Sequence, residues 1–247
     1  MCMIEHIISN LKKVNLLDSI YIATSKHPDD QILSDIATKN KVNVYGGSEN
    51  DILERLLHVG AETQADYVVR VTGDNIFTDT ILLNKLIIEV GKFRPEYARV
   101  VGAPLGVSAE VISLEALKKA CLLFDREKSE YLMWYMFDPA IFETLILDVS
   151  EWCDQGSTLT VDTVGDWNRT KFIFDELGFS EQIDILAIKE LAERTSIPAY
   201  ELSLSEVIKL PDGAVTYSEY MSEYKKRLAM VQYRINFTKE EYQNSKR

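Results

Sequence analysis

Cysteine is scarce and badly placed for chemistry: Cys2, Cys121 and Cys153 are odd in number, far apart, and form neither a CxxC pair nor a ligand cluster. That argues against a disulfide framework and a thiolate metal site, and leaves reduced, structural thiols in a cytoplasm as the expectation. Positive charge is also short. Against 39 acidic residues stand 27 lysines and arginines, a net charge of −12, and nucleic-acid-binding surfaces carry a basic face that such a chain does not supply. No apolar run approaches the roughly 18 residues that a bilayer span needs, so no membrane partner is expected. The opening MCMIEHIISNLKK lacks a basic stretch followed by an apolar one and does not read as a secretory signal. The glycosylation-type triplets at Asn168 and Asn236 then read as chance matches, and no repeat or low-complexity tract is present.

What is there suits a folded α/β protein. The chain has 247 residues, 46% of them hydrophobic, enough to bury a sizeable core in one large domain with or without a smaller appendage. Apolar spacing predicts a helix over 3–17, a strand at 18–25, a helix from HPDD to Asn40, a strand at 42–45 and a helix after GGSEND, with Ser48 and Asp51 spaced as a capping box. DYVVRVTGDN predicts the next strand and 78–90 the next helix. Strand and helix alternating at this spacing point to a mostly parallel sheet with helices on both faces. Beyond Gly91, two strands are expected within 98–113, helices at 114–124 and 127–137, a strand in IFETLILDVS, a short strand at 158–163 and a helix at 164–177 opened by Thr163 and Asp166. The pattern after Gly178 is helical, so the expected organisation is an α/β domain over 1–180 and a mostly helical extension over 181–247.

Two aspartates stand where ligands bind in such sheets, just outside the carboxyl ends of strands: Asp74 after VVRVTG and Asp162 after TLTV. Two converging carboxylates, with water and phosphate oxygens, suit Mg²⁺, a hard ion that prefers oxygen and keeps much of its water. The alternative for each is a turn residue or a helix N-cap. Arg70, a charge inside an apolar strand, calls for either a local acid or a phosphate. His6 and His58 read as packing or surface residues, whereas His27 lies close enough to Thr24 and Ser25 to touch a ligand. Tyr217, Tyr220, Tyr224, Leu228 and Val231 form a helical stripe that belongs to a core or to a subunit interface.

MIEHIISNLKKV, IYIATSKHPDD, VYGGSENDILERLLH, DYVVRVTGDN, GVSAEVISLEAL, the segment around Ser129-Glu130-Tyr131, and LTVDTVGDW occur in an order that resembles the sugar-activating cytidylyltransferases. That group includes the acylneuraminate and ketodeoxyoctulosonate cytidylyltransferases, and the spore-coat-polysaccharide branch is the most similar. The resemblance implies a nucleotide-diphosphosugar-transferase-like fold, CTP and a sugar or sugar acid as substrates, transfer of the nucleoside monophosphate with release of pyrophosphate, Mg²⁺ as cofactor, and a cytoplasmic homodimer serving polysaccharide precursor synthesis. By the same resemblance Asp74 and Asp162 are the metal ligands and the catalytic residues. Thr24, Ser25, Thr72 and Gly73 line the nucleotide, and Glu110, Arg126 and Glu130 the sugar; a solvated helix face is the other reading of Arg126.

The pattern departs from the family's in places. The segment equivalent to MIEHII usually follows a strand and a loop of the type QARMGSTRLPGK, which supplies cations to the triphosphate. Here both the loop and a strand near the middle of the sheet are expected to be missing. Gly46 stands in place of an arginine, Asn75-Ile76 in place of Cys-Pro, and Tyr131 in place of a histidine. A triphosphate would thus meet a strongly acidic chain with few cations, so impaired transfer is one expectation, and a non-catalytic sugar- or nucleotide-binding subunit is the alternative. No DxD motif follows an apolar strand, which disfavours a glycosyltransferase of the related fold.

Overall fold

In the computed structural model, which describes residues 2–153, 156–178, 183–210 and 213–246, helix and strand alternate from the start. The first run is α1 (Met3–Leu11), β1 (Tyr21–Ser25), α2 (Gln31–Asn40), β2 (Asn43–Gly47), α3 (Ile52–Glu62), β3 (Tyr67–Arg70) and α4 (Thr80–Phe93). The second is β4 (Tyr97–Val101), β5 (Glu110–Ser113), α5 (Leu114–Leu123), α6 (Leu132–Met136), β6 (Thr144–Asp148) and α7 (Val164–Leu177). The last is α8 (Ile185–Arg194), β7 (Val207–Leu210), β8 (Gly213–Thr216), α9 (Tyr217–Ala229), β9 (Tyr233–Asn236) and α10 (Lys239–Asn244).

Five strands form the main sheet in the order β3-β5-β4-β6-β9. β5 runs antiparallel to both neighbours, while β4, β6 and β9 run parallel to one another. Period-two alternation then divides the core between two faces. Ala98, Val100, Leu145 and Leu147 turn toward α4, α7 and α8, and Tyr97, Val101 and Ile146 turn toward α5, α6 and α9. The expected mostly parallel sheet with helices on both faces is what the chain builds. β1 and β2 form a separate parallel pair, and a cleft of about 550 Å³ opens between β1 and β3.

Local signals hold where the chemistry is local. Thr163 accepts from the Asp166 amide at 3.2 Å while Asp166 accepts from Thr163, closing the capping box that starts α7. Asp51, and not Ser48, caps α3, because its carboxylate accepts from the Glu54 amide at 2.8 Å. The strand expected at 158–163 reduces to a single bridge, Leu105 to Thr158. The stretch read as a mostly helical extension also carries β7, β8 and β9, and β9 pairs with β6 along Leu145–Asp148, inside the main sheet. Tyr217, Tyr220 and Tyr224 are buried against the α5 and α6 side of the core, so the stripe serves this chain's own core. Tyr242 of α10 donates to the buried Asp79 at the start of α4, and the Ile185 amide donates to the same carboxylate at 3.0 Å, clamping α8 and α10 onto the sheet.

α1 is tied to α2 by Lys39, which lies 2.7 Å from Glu5. The Lys39 bond, with help from the Cys2 amide, holds the Glu5 carboxyl down at about 2 against an ordinary 4.5. A depressed acid contributes stability above its unfolded value, and that contribution is lost as pH falls through the folded one. The stability gap between the wild type and Glu5→Gln is therefore expected to be full at neutral pH and to close between pH 4.5 and about 2. Urea titrations across that range measure it, and a gap independent of pH would contradict the pairing.

Candidate functional site

β3 ends at Arg70. After Arg70 the chain turns through Thr72, Gly73 and Asp74, and the Asn75 amide returns to the Thr72 carbonyl at 3.1 Å. A Cβ on Gly73 would lie 3.0 Å from Ile4 Cδ1, so α1 packs directly on this turn. The Val161 amide donates to the Asp74 carbonyl at 3.2 Å, which sets Asp162 beside Asp74 although the two are remote in sequence. Neither aspartate is occupied as a helix cap: α4 is capped by Asp79, whose carboxylate accepts from the Ile81 and Leu82 amides, and α7 by Thr163. Asp74 is half-buried and Asp162 exposed, and among the described residues neither carboxylate takes a salt bridge.

Arg169 fixes this edge from below. It is fully buried and donates to the Thr160 and Ala199 carbonyls and to Asp166 at 2.8 Å, so the chain leading to Asp162 is pinned by a charge that has no freedom to move. No group of three or more His, Cys, Asp or Glu side chains among the described residues could hold a metal on its own. A two-carboxylate edge matches Mg²⁺ bound together with substrate phosphates, the arrangement in which that ion takes one or two protein ligands and keeps its remaining shell of water and phosphate oxygens.

Thr24 and Ser25 stand at the end of β1, as expected, but their hydroxyls are committed. Both donate to Asp30 Oδ2, at 2.9 and 2.5 Å, and the Ser25 amide donates to the same oxygen. Ser25 first and Thr24 second hold the Asp30 carboxyl below its ordinary value. The pair is therefore held at the end of β1 with both hydroxyl protons committed to Asp30. His27 is half-exposed and its Nδ1 accepts from the Asp29 amide at 3.2 Å, opening the short helical turn before α2. His58 stacks on Tyr45 and His6 packs edge-on to Phe174, in keeping with packing roles.

Glu110 is also spent. On β5 it faces Arg70 of β3 in register; Oε2 takes the Arg70 guanidinium and Oε1 accepts from the Tyr97 hydroxyl at 2.6 Å. Arg70 thus takes the local-acid alternative. Arg126 lies 2.6 Å from Asp51 at the start of α3, and the side chain of Glu130 lies outside the described residues. The structure sets Asp162 beside the Thr72–Gly73–Asp74 turn and places Thr24 and Ser25 at the end of β1. It leaves Glu110 in a buried three-strand network.

One cation escaped the sequence reading. Arg55, on α3, packs beside Gly47 so closely that a Cβ there would meet its Cγ at 2.8 Å, and its charge is felt with those of Asp30, Asp51 and Arg70. Burial pulls its pKa down, and Nε has no hydrogen-bond partner among the described residues. Its only trace in the sequence is a basic residue one turn into a helix that follows a Gly-Gly turn, which by itself marks nothing.

Residues 1–135 match the family model described as Cytidylyltransferase. An uncharacterised protein of Methanocaldococcus jannaschii is 31% identical over 169 residues, 67% of this chain and 70% of that protein. The spore coat polysaccharide biosynthesis protein SpsF of Bacillus subtilis is 27% identical over 188 residues, 74% of this chain and 78% of its own. Among solved structures, a cytidylyltransferase from Leptospira borgpetersenii superposes with a TM-score of 0.73 at 22% identity, covering 81% of this chain and 86% of the other. The synthetase of CMP:2-keto-3-deoxy-manno-octonic acid, complexed with CTP, superposes at 0.55 and 13% identity, covering 71% and 88%. Among the described residues no helix is long and apolar enough to cross a membrane. With the family model matching more than half of its length, this chain belongs to the cytidylyltransferase family.

Proposed function

We propose that this chain transfers CMP from CTP to a hydroxyl of a sugar or sugar acid, releasing pyrophosphate, with Mg²⁺ held by Asp74 and Asp162. The observation that carries the reading is the Val161-to-Asp74 hydrogen bond, which draws two aspartates that neither cap a helix nor take a salt bridge among the described residues together just beyond the carboxyl end of β3. When bound, Mg²⁺ supplies charge neutralisation for the triphosphate oxygens as the acceptor hydroxyl attacks the α-phosphorus and pyrophosphate leaves. The chain's own part is positioning. Asp74 and Asp162 anchor that charge, and the Thr72–Gly73 turn lets backbone approach the nucleotide. The Asp30 clamp on Thr24 and Ser25 keeps the end of β1 in place. Arg55, which has no salt bridge among the described residues, is available to face the phosphates, whereas Arg70 is taken by Glu110 and Arg126 by Asp51.

That scarcity of free cations makes slow turnover the expectation, and it is the one observation that favours a second reading, a binding subunit that holds nucleotide without transferring it. Incubation with CTP, Mg²⁺ and a panel of sugars and sugar acids, with pyrophosphate as the readout, separates the two. Mg²⁺-dependent pyrophosphate release with one acceptor supports transfer, and CTP binding without release under every acceptor supports the second reading. Arg55→Gln is expected to raise the KM for CTP severalfold with a smaller effect on kcat; steady-state kinetics test this, and an unchanged KM would remove Arg55 from the site.

A further inference from the structure

Three strands bring three charged side chains into one row. Arg70 of β3 and Arg99 of β4 both stand in register with Glu110 of β5, so a single carboxylate lies between two guanidiniums. Because Arg99 stands between Tyr97 and Val101 on β4, the row belongs to the face turned toward α5, α6 and α9. Glu110 does not serve both arginines: Oε2 takes Arg70, and Oε1 accepts from the Tyr97 hydroxyl. Asp148 of β6, opposite Val101, is the next acid on this face. It accepts from the Ser150 amide and hydroxyl through Oδ1 and lies 3.5 Å from Arg234 through Oδ2.

Arg99 is left with one long bond, from Nε to the Val100 carbonyl at 3.4 Å, and neither Nη group has a hydrogen bond or salt bridge among the described residues. Yet the residue is only 7% exposed. The ring centres of Phe137 and Tyr224 lie 5.4 and 5.8 Å from its guanidinium carbon, and its charge is felt at the buried Tyr220 and Tyr224, whose hydroxyls take no hydrogen bond among the described residues. Stacking on aromatic rings offsets only part of what burying a charge costs. The unmet donors form a planar fork that matches a carboxylate. Two arginines against one glutamate leave a single positive charge in the row, which a monoanion balances. A phosphate monoester carries close to two negative charges at neutral pH and would overshoot it beside Glu110.

We propose that Arg99 is the receptor for a carboxylate group of a small ligand, held by both Nη groups in the plane of the fork beside the rings of Phe137 and Tyr224. The proposal rests on the Arg70–Glu110–Arg99 row and not on Asp74 or Asp162, so its failure leaves the transfer reading untouched.

Thermal melts of the full chain in sodium acetate, against sodium chloride at equal ionic strength, test it. Acetate is little more than a carboxylate, so it needs nothing from the site but the fork. The wild-type Tm is expected to rise saturably, by roughly 3–6 °C at about ten times the Kd. Arg99→Leu removes the charge and keeps an apolar side chain. It is expected to show no rise, and in chloride to melt no lower than the wild type, because it deletes a charge that has no acid of its own. Arg99→Lys keeps the charge without the fork and is expected to lose most of the rise. The proposal is overturned by the absence of a saturable rise in the wild type, a result that needs no variant to fold, or by an equal rise in Arg99→Leu. It is also overturned by a larger rise with phosphate than with acetate, or by an Arg99→Leu protein that melts well below the wild type in chloride, which would make Arg99 a satisfied part of the core.

Discussion

Replacing Asp74 with alanine is expected to lower Mg²⁺-dependent pyrophosphate release by on the order of 10²–10³-fold, and Asp162→Ala by a similar factor, with the fold intact in both. The size follows from losing a preorganised charge that acts where the transition state is most charged. The fold survives because neither carboxylate holds structure together: Asp79 and Thr163 do the capping, and Asp166 does the pairing with Arg169. The two substitutions share one metal, so their combined effect should be far from the product of the single effects. A pyrophosphate assay with circular dichroism alongside is the measurement. Two variants that lose activity only because they unfold would sink the assignment, as would a pair whose losses multiply independently.

Removing Glu110 is expected to act in the opposite way, on stability first. Glu110→Ala leaves the Arg70 guanidinium and the Tyr97 hydroxyl unpaired in a part of the sheet where Glu110 is 5% exposed. Breaking one side of a buried ion pair costs about 3–5 kcal/mol, which for a chain of this size lowers Tm by roughly 6–20 °C. Tyr97 reports on the same network: burial, with the Glu110 charge behind it, raises its pKa well above the ordinary tyrosine value. The double variant Arg70→Leu, Glu110→Leu should recover much of the loss, because it removes both charges together. Thermal melts of the three variants decide it. A Glu110→Ala protein as stable as the wild type but weak in acceptor binding would instead return Glu110 to the sugar site.

The contrast between these residues shows which parts of the molecule could be read from sequence. Thr163 and Asp166, three apart, declare α7 by themselves; Asp74 stands out because the apolar run of β3 stops just before it, whereas the apolar run before Asp162 builds only a bridge at Thr158. Glu110 looked like a ligand only through resemblance. Its partners come from β3 and β4, and their register depends on β5 turning antiparallel, a long-range pairing that periodicity does not encode. The same limit hid β9, four residues whose alternate burial is too short a pattern to separate from the helices on either side, yet which extend the main sheet beside β6. Asp30 was legible as a helix-start acid, but not that its carboxylate turns back to bind both hydroxyls at the end of β1. Arg55 was invisible for a different reason: a helical arginine usually faces water, and its close packing beside Gly47 is a contact that spacing does not reveal.

Calorimetric titration of CTP into the wild type, with and without Mg²⁺, and into Asp74→Ala and Asp162→Ala, tests the account most directly. CTP is expected to bind the wild type only when Mg²⁺ is present, and to lose that dependence together with most of its affinity in each variant. Metal-independent CTP binding, or binding that survives both substitutions unchanged, would contradict a site built from these two aspartates.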